Sequence, residues 1–175
     1  NKIGSVIVWS IIALMLVFFV AVTYIKIQHP FWTKQQVMMY YKPHEWNRHA
    51  VMETQLPSLD KYINLSNIKT HNIDDISGNR LELIKSFIGN YYLNKKDYKY
   101  SPSLDKIIDP LRSSRESSFI SIYSIFDKTI GIVTGNTLNI CFKNRTPFNT
   151  YYIDHLCVHP DFRKRQISPK LLRTH

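Results

Sequence analysis

The chain has 175 residues, with 23 Lys and Arg against 13 Asp and Glu and a formal net charge of +10. This length suits one soluble domain with an appendage, and the positive charge suits nucleic acid, anionic lipid or a polyanionic cofactor without choosing among them. Two cysteines are too few for a disulfide scaffold. This excludes the small disulfide-rich secreted class and favours a reducing compartment.

The first predicted element is a membrane-spanning helix. Residues 3–25 contain no charged side chain, and this run exceeds the roughly 20 residues that a helix needs to cross a bilayer. A cleaved signal peptide would have a shorter apolar core and a small-residue cleavage site, and a soluble core helix is rarely apolar on every side. We therefore interpret residues 1–26 as a single-pass anchor. Because Lys26, Lys34 and Lys42 follow it, the positive-inside rule predicts that the rest of the chain is cytosolic.

Residues 27–77 are predicted to form an extended arm and linker. The segment is polar and irregular, apart from a short predicted strand at 62–65. Phe31 and Trp32 suit either an aromatic belt at the membrane interface or stacking on an adenine ring. The His-Glu-x-x-x-His pattern at 44–49 does not place two imidazoles one helical turn apart, so no metal site is predicted.

Residues 78–175 are predicted to form a folded domain that begins with two helices. The first covers 78–92, with apolar residues at helical spacing on one face. The second runs from Pro102 to about Leu111, with Ser101 as its N-cap and Pro110 limiting its length. The side chains predicted to face the core are Leu81, Ile84, Ile88 and Tyr91 in the first helix, flanked by Leu83 and Phe87, and Leu104, Ile107 and Ile108 in the second.

An antiparallel meander of strands is predicted to follow the helices. Residues 118–126 form one strand and Asp127-Lys128 a hairpin turn. Residues 129–142 form either one long strand or two strands joined at Gly135-Asn136. The last predicted strand covers 151–158, which is apolar and β-branched enough for the interior of a sheet.

A basic turn joins this last strand to another predicted helix. Arg163, Lys164 and Arg165 form the turn, and Ser168-Pro169 is suited to the start of a helix. The free amides and the dipole of a helix N-terminus attract anions, so strand, cationic turn and helix together suit a phosphate group. A plain strand-to-helix connection with a solvated basic turn fits the same residues equally well.

Several motifs resemble the N-myristoyltransferase branch of the GNAT acyltransferase superfamily. The strand end Leu156-Cys157-Val158-His159, the Arg/Lys-rich turn and Ser168-Pro169 match the acyl-CoA-binding core of that branch. Asn90-Tyr91 and Tyr100-Ser101-Pro102 match two further family motifs, and Phe31-Trp32 is similar to the arm that covers the CoA. The resemblance implies an α+β fold, a GNAT-like mixed sheet flanked by helices and preceded by one transmembrane helix. This chain would cover only part of that fold.

The resemblance also implies which residues act. Two consecutive backbone amides, those of His155 and Leu156, would form an oxyanion hole for a thioester carbonyl. The expected co-substrate is myristoyl-CoA or another acyl-CoA, with no permanently bound cofactor and no metal. The residues implied to contact it are Phe31, Trp32, Asn90, Cys157, Val158, Arg163, Lys164, Arg165, Gln166, Ile167 and Ser168.

Three departures from the family bear on activity. Family members are soluble, whereas this chain carries the predicted anchor. The acidic run that helps to hold the peptide substrate in the family becomes Asn94-Lys95-Lys96-Asp97 here. The family's base is a C-terminal carboxylate from a second half, and these 175 residues contain no such half. Because the chain stops at His175 within a predicted helix, we expect it to be part of a longer protein.

Two functions follow from these features. The first is a membrane-anchored N-myristoyltransferase-like acyltransferase that moves a fatty acyl group from acyl-CoA to an N-terminal amine. The alternative is a non-enzymatic structural membrane protein that keeps the fold as a scaffold. The Lys-, Asn-, Ile- and Tyr-rich composition suggests, as an example, a minor capsid protein that links the internal membrane and capsid of a large DNA virus. Expected partners are a membrane, acyl-CoA, and a peptide N-terminus or capsid proteins. No basic-aromatic module supports nucleic-acid binding.

Overall fold

The computed structural model describes residues 2–34, 60–94, 97–113, 117–141, 143 and 146–175. The chain divides into two compact units, residues 1–59 and 60–175. The division into an anchor, a linker and a domain at residues 26 and 77 remains a prediction. The first unit contains helix α1, Lys2–Gln28, and a short 3-10 helix, Trp32–Lys34.

Helix α1 exposes its apolar side chains along most of its length. The most apolar 18-residue window of the segment Gly4–Gln28 has a mean hydropathy of 2.8, and none of that window is buried. At 1.5 Å per residue, 25 residues extend for about 38 Å, which exceeds the ~30 Å hydrocarbon core of a bilayer. By length and composition, α1 could therefore cross a membrane, although a signal sequence would meet the same criterion.

The second unit is built on a four-stranded antiparallel sheet in the order β1-β2-β3-β4. The strands are β1, Ile68–Asn72; β2, Phe119–Ile125; β3, Lys128–Ile140; and β4, Phe148–Val158. β3 is one continuous strand that pairs with β2 on one side and with β4 on the other.

Three strand predictions were wrong in position. The predicted strand at 62–65 is absent, because Asp60–Tyr62 forms a 3-10 helix and β1 lies further along the chain. β1 has a single fully buried residue, Ile68, so it carries no alternating apolar pattern, and pairing with β2 holds it in place.

The β2–β3 turn is Phe126-Asp127, one residue earlier than predicted, and both residues have the positive φ typical of a type I′ turn. β4 begins at Phe148, because its pairing with β3 extends to the pair Ile140–Phe148.

Three further helices cover the two faces of the sheet: α2, Gly78–Tyr91; α3, Leu104–Arg112; and α4, Ile167–Thr174. Side chains alternate between the faces along a strand, so Ile132 and Cys157 pack towards α2 and α3 while Val133 and Val158 pack towards α4. The cluster on the α2–α3 side contains Ile73, Ile76, Leu81, Ile84, Phe87, Ile88, Ile107, Ile108, Leu111, Ile120, Ile122, Ile132 and Cys157, and the cluster on the α4 side contains Ile68, Tyr123, Ile130, Val133, Val158, Ile167 and Leu171.

A glycine lets α4 approach the sheet closely. A Cβ at Gly131 would lie 2.8 Å from Cδ1 of Leu171 and 3.3 Å from Cγ2 of Ile167. Carbon atoms need about 3.5–4 Å, so any side chain at this position would push α4 outwards. The position of the candidate site, at the start of α4, therefore depends on a residue in β3.

The first helix of this unit was predicted correctly and the second was placed too early. α2 ends at Tyr91 and buries the predicted face, but Leu83 is 67% exposed. α3 begins at Leu104 with Ser103 at the N-cap position, because Pro102 is itself buried before the helix starts. Pro110 lies in the last turn of α3 and does not end it. The predicted α+β class, with helices on a sheet and an apolar helix before it, is confirmed, and the described sheet is antiparallel throughout.

Candidate active site

The candidate site is centred on a bulge in β4. The ladder pairs Ile132 with Cys157 and Thr134 with Asp154, so the single residue Val133 faces two residues of β4, His155 and Leu156. His155 has a φ of 46°, which a non-glycine residue adopts only at a local energetic cost. A bulge re-aims backbone groups away from the regular ladder. The bulge in β4 lies at His155 and Leu156, whose amides the family resemblance assigns to an oxyanion hole. That role stays a prediction.

The imidazole of His155 is a buried, neutral group. The ring is 8% exposed, and its Nδ1 is 3.2 Å from the hydroxyl of Thr134. Burial lowers the pKa of His155, against the opposing effect of the Asp154 charge. The 3.7 Å approach of Nδ1 to Asp154 is therefore not a strong ion pair, and the ring anchors the bulge to β3.

Asp154 connects the bulge to the end of α2. The backbone N–H of His155 donates to Oδ1 of Asp154 at 2.7 Å, and the hydroxyl of Tyr92 donates to the same oxygen at 3.4 Å. The Tyr92 ring contacts the rings of His155 and Tyr100, with centroids 5.3 and 5.5 Å apart. Burial, followed by the Asp154 carboxylate, raises the pKa of Tyr92, so its hydroxyl keeps the proton that it donates.

Arg163 ties the end of β4 to the end of α2. Its Nε donates to the carbonyl of Val158 at 3.1 Å, and its Nη2 donates to the carbonyl of Tyr91 at 3.1 Å. The second bond satisfies one of the carbonyls left without an intrahelical partner at a helix C-terminus. Two of the guanidinium nitrogens are thus engaged in structural contacts.

The turn after Arg163 has an unusual backbone. Lys164 and Gln166 have φ values of 63° and 58°, and Gln166 forms the N-cap of α4 in the left-handed conformation. The guanidinium of Arg165 lies 5.5 Å from the ring centre of Phe162. Alternation of left-handed and other residues turns successive amides towards one side, which is a common way to bind an anion. Beyond the turn, Ile167 is buried in the core and Ser168 is half-buried in the first turn of α4.

Cys157 and Val158 are buried and face opposite sides of the sheet. Burial raises the pKa of the Cys157 thiol to about 11, although Arg163 acts in the opposite direction. The thiol is therefore uncharged at neutral pH and is not a nucleophile. Only the backbone groups of these two residues can serve a ligand.

Asn90 supports the loop after α2. Its side-chain oxygen accepts from Nζ of Lys99 at 3.2 Å, and its backbone carbonyl accepts from the side-chain amide of Asn94 at 3.0 Å. Lys95 and Lys96, part of the predicted charge reversal, lie outside the described residues. Asn90 thus links the end of α2 to Asn94 and Lys99.

The predicted aromatic arm belongs to the other compact unit. The rings of Phe31 and Trp32 are in edge-to-face contact, with centroids 5.1 Å apart. Phe31 is buried and Trp32 is 43% exposed. The contact of this arm with a cofactor stays a prediction.

The two predicted amide donors, the basic turn and the start of α4 follow one another along one stretch of chain, and the structure adds a bulge at the donors that the sequence did not predict. The sequence did not single out Asp154, Tyr92 or Thr134, although all three contact His155 or its amide. For Asp154, the sequence did contain a signal, because this residue comes directly before His155 and Leu156, the two predicted amide donors. Among the described residues, no group of three or more His, Cys, Asp or Glu could hold a metal ion.

A separate cavity of about 380 Å³ lies between the start of α2 and strands β1 to β3. Lys69, His71 and Arg80 line one part of it, and apolar residues including Ile84 and Ile122 line another. None of the predicted site residues lines this cavity, so it is distinct from the bulge and the basic turn.

No protein-family model matches the chain, and no curated protein matches it. Solved structures do match in fold. A structure of Saccharomyces cerevisiae N-myristoyltransferase with bound myristoyl-CoA has a TM-score of 0.59 and 18% identity, over 83% of this chain and 36% of that one. A second structure of the same enzyme with bound myristoyl-CoA has a TM-score of 0.58 and 17% identity, over 83% and 34%. This chain spans about a third of the length of that enzyme. Its fold is similar to that of N-myristoyltransferase.

Proposed function

We propose that the chain is a membrane-anchored, N-myristoyltransferase-like acyltransferase that binds acyl-CoA and transfers a fatty acyl group to an N-terminal amine. The observation that carries the proposal is the bulge at His155-Leu156, followed after the end of β4 and a short 3-10 helix by the basic turn into α4, within an N-myristoyltransferase-like fold. In the proposed complex, the thioester carbonyl accepts bonds from the two bulge amides, which stabilises charge that develops on the oxygen.

The pyrophosphate of CoA would lie against the turn. Lys164, Arg165 and Gln166 are exposed there, and the first amides of α4 have no intrahelical partner. Arg165 and Lys164 supply positive charge near this position. Arg163, which contacts two backbone carbonyls, would shape the turn as well as add charge.

The remaining parts of the proposal concern location and acceptor. We place α1 across a membrane once, with the following residues on the cytosolic side, and we take a peptide N-terminus as the acceptor. An N-terminal amine must lose a proton before it attacks a thioester. In the resembling family that base is a C-terminal carboxylate, and turnover requires an equivalent group.

The test is binding of myristoyl-CoA to the full chain in zwitterionic nanodiscs, compared with acetyl-CoA and free CoA and corrected with empty nanodiscs. We expect myristoyl-CoA to bind most tightly. R165E should weaken binding about tenfold or more by reversing a charge near the pyrophosphate. K106E, which makes the same charge change on the exposed face of α3, should leave the affinity unchanged. Equal weakening by both variants, or no binding to the folded protein, would contradict the proposal.

A second candidate function is a non-enzymatic scaffold. The bond between Asp154 and the His155 amide favours it, because one proposed oxyanion donor is already occupied. The same binding experiment separates the two functions, since a scaffold need not bind acyl-CoA. The role between a viral internal membrane and a capsid stays a prediction from composition.

A further inference from the structure

One amide that the proposed function needs is already bonded to a carboxylate. The N–H of His155 donates to Oδ1 of Asp154 at 2.7 Å, which is the short distance of a charge-assisted hydrogen bond. Such bonds are roughly twice as strong as those between neutral groups. A thioester carbonyl is a neutral acceptor, so it would compete for this amide at a disadvantage.

The carboxylate is held in this position by more than its own backbone. The Tyr92 hydroxyl at the end of α2 donates to the same oxygen, and the rings of Tyr92, Tyr100 and His155 contact one another. Asp154 is paired with Thr134 across the ladder, and Thr134 in turn contacts His155 Nδ1. The side chain of Asp154 is 40% exposed, so it can swing outwards when a ligand arrives.

We propose that Asp154 is a specificity-determining residue of the acyl-CoA site, whose carboxylate occupies the place of the thioester oxygen on the His155 amide. The inference rests on the proposed function. An acyl-CoA carbonyl reaches the amide only by displacing the carboxylate, whereas a CoA derivative without a carbonyl has nothing to displace. Asp154 therefore lowers the preference of the site for a thioester.

The experiment compares two ligands that differ in one oxygen atom. Myristoyl-CoA carries the carbonyl, and the thioether S-tetradecyl-CoA has a methylene in its place with the same chain length. The ratio of their dissociation constants isolates the contact with the carbonyl oxygen. It is measured on the full chain in nanodiscs for the wild type, D154A, D154N and D109A. Asp109 is exposed on α3, so D109A matches the charge change away from the site.

We expect D154A to shift the ratio about tenfold in favour of myristoyl-CoA, the effect of one hydrogen bond gained at the amide. D154N keeps the size of the side chain and a neutral acceptor, so its shift should be smaller. D109A should give the wild-type ratio. The affinity for S-tetradecyl-CoA should be the same in all four proteins.

The outcomes separate this inference from the proposed function. Binding of both ligands with the same ratio in the wild type, D154A and D154N overturns the inference and leaves the proposed function standing. If D154A binds myristoyl-CoA and the wild type, D154N and D109A do not, the result supports the inference in its strongest form. No binding of either ligand to any of the folded proteins overturns the proposed function and the role of Asp154 with it. The amide proton of His155 in ¹H–¹⁵N spectra reports the bond itself, and it should move upfield in D154A.

Discussion

Left-handed backbone at non-glycine residues marks the candidate site. Among the described residues, His155, Lys164 and Gln166 have positive φ within twelve residues of one another. Each such residue costs on the order of 1–2 kcal/mol relative to glycine and persists because surrounding packing holds it. Outside the site, Leu93 after α2 also has a positive φ, and Phe126 and Asp127 form a tight hairpin turn that requires this conformation.

Replacement of Gln166 by glycine tests the strain in the turn. Glycine adopts a φ near 58° without a steric penalty, so Q166G should leave the free energy of unfolding unchanged or raise it by up to ~1 kcal/mol. Q166V should lower it by roughly 1–2 kcal/mol, because a β-branched side chain tolerates this conformation poorly. Chemical denaturation measures both. K106G, in the interior of α3, should cost about 1 kcal/mol, and an equal loss in Q166G would contradict the left-handed assignment.

Three histidines whose pKa values are lowered in the folded protein make stability depend on pH. The pKa values of His71, His155 and His175 are lowered below 6.5, and burial is the largest cause for each. Above pH 6.5 both folded and unfolded states are neutral at these sites, and the stability is fully present. Below pH 6.5 the unfolded chain binds protons that the folded protein does not, so the free energy of unfolding falls, by at most about 1.4 kcal/mol per pH unit for each of His155 and His175 and by less for His71, which is only partly buried.

Denaturation of the full chain between pH 5 and 7.5 measures this slope. H175Q should make the curve shallower, because it removes one of the three groups and can still bond to Ser121, which His175 Nδ1 contacts at 2.8 Å. A flat curve in the wild type, or an identical slope in H175Q, would show that these histidines do not titrate differently on folding.

Individual site residues differed in how far the sequence predicted them. Cys157 was predicted as a core residue because its strand is apolar, and it is buried. The sequence places Asp154 directly before the His155 amide but does not predict their hydrogen bond, because in a regular strand the side chain points out of the sheet while the next backbone N–H lies in its plane. Only the bulge brings the carboxylate and the next amide together, and no local pattern in the sequence encodes a bulge.

At the scale of elements, the long apolar segments were predicted well and the short polar ones were not. α2 carries a full helical stripe, so its bounds agree to within one residue. α3 has Ser103 at its N-cap position in place of the predicted Ser101, and Ser103 makes no side-chain capping bond. The start of α3 follows the buried Pro102. The position of β1 depends on its pairing with β2, a strand some fifty residues further along the chain. Such tertiary effects are not visible in local propensity.

Arg163 joins two elements, and its removal should loosen both. R163A loses two bonds to backbone carbonyls, at Val158 and Tyr91, and we expect a loss of about 1–2 kcal/mol in the free energy of unfolding after allowance for solvent exposure. R163K should not restore it, because an ammonium lacks the planar fork that reaches both carbonyls. R165A removes a cation–π contact and should cost no more than about 1 kcal/mol.

Thermal or chemical unfolding of the three variants measures these differences. If R163K were as stable as the wild type, charge alone would explain the role of Arg163. If R163A and R165A were equally destabilised, the link between β4 and α2 would contribute nothing beyond the general effect of losing an arginine.

On the scale of the whole molecule, the apolar side chains are distributed unequally between the two units. In residues 60–175 the large apolar side chains form clusters on both faces of the sheet, and the exposed ones are scattered or lie on the outer part of β3 and β4. In α1 nearly every large apolar side chain is exposed. A helix of this kind is unfavourable in water and favourable in a bilayer, where its backbone bonds are all satisfied internally.

Two arginines in the middle of α1 should therefore abolish membrane association. Each arginine costs about 2.5–3.5 kcal/mol at the centre of a membrane helix, and L14R with L16R keeps the length of the segment. We expect the wild type to float with liposomes and resist alkaline extraction, and this double variant to remain in the soluble or aggregated fraction. The matched control is L65R with L83R, which replaces two exposed leucines of the other unit and should float like the wild type. If the α1 variant still floats, the basic surface rather than the helix holds the protein at the membrane, and high salt should then release it.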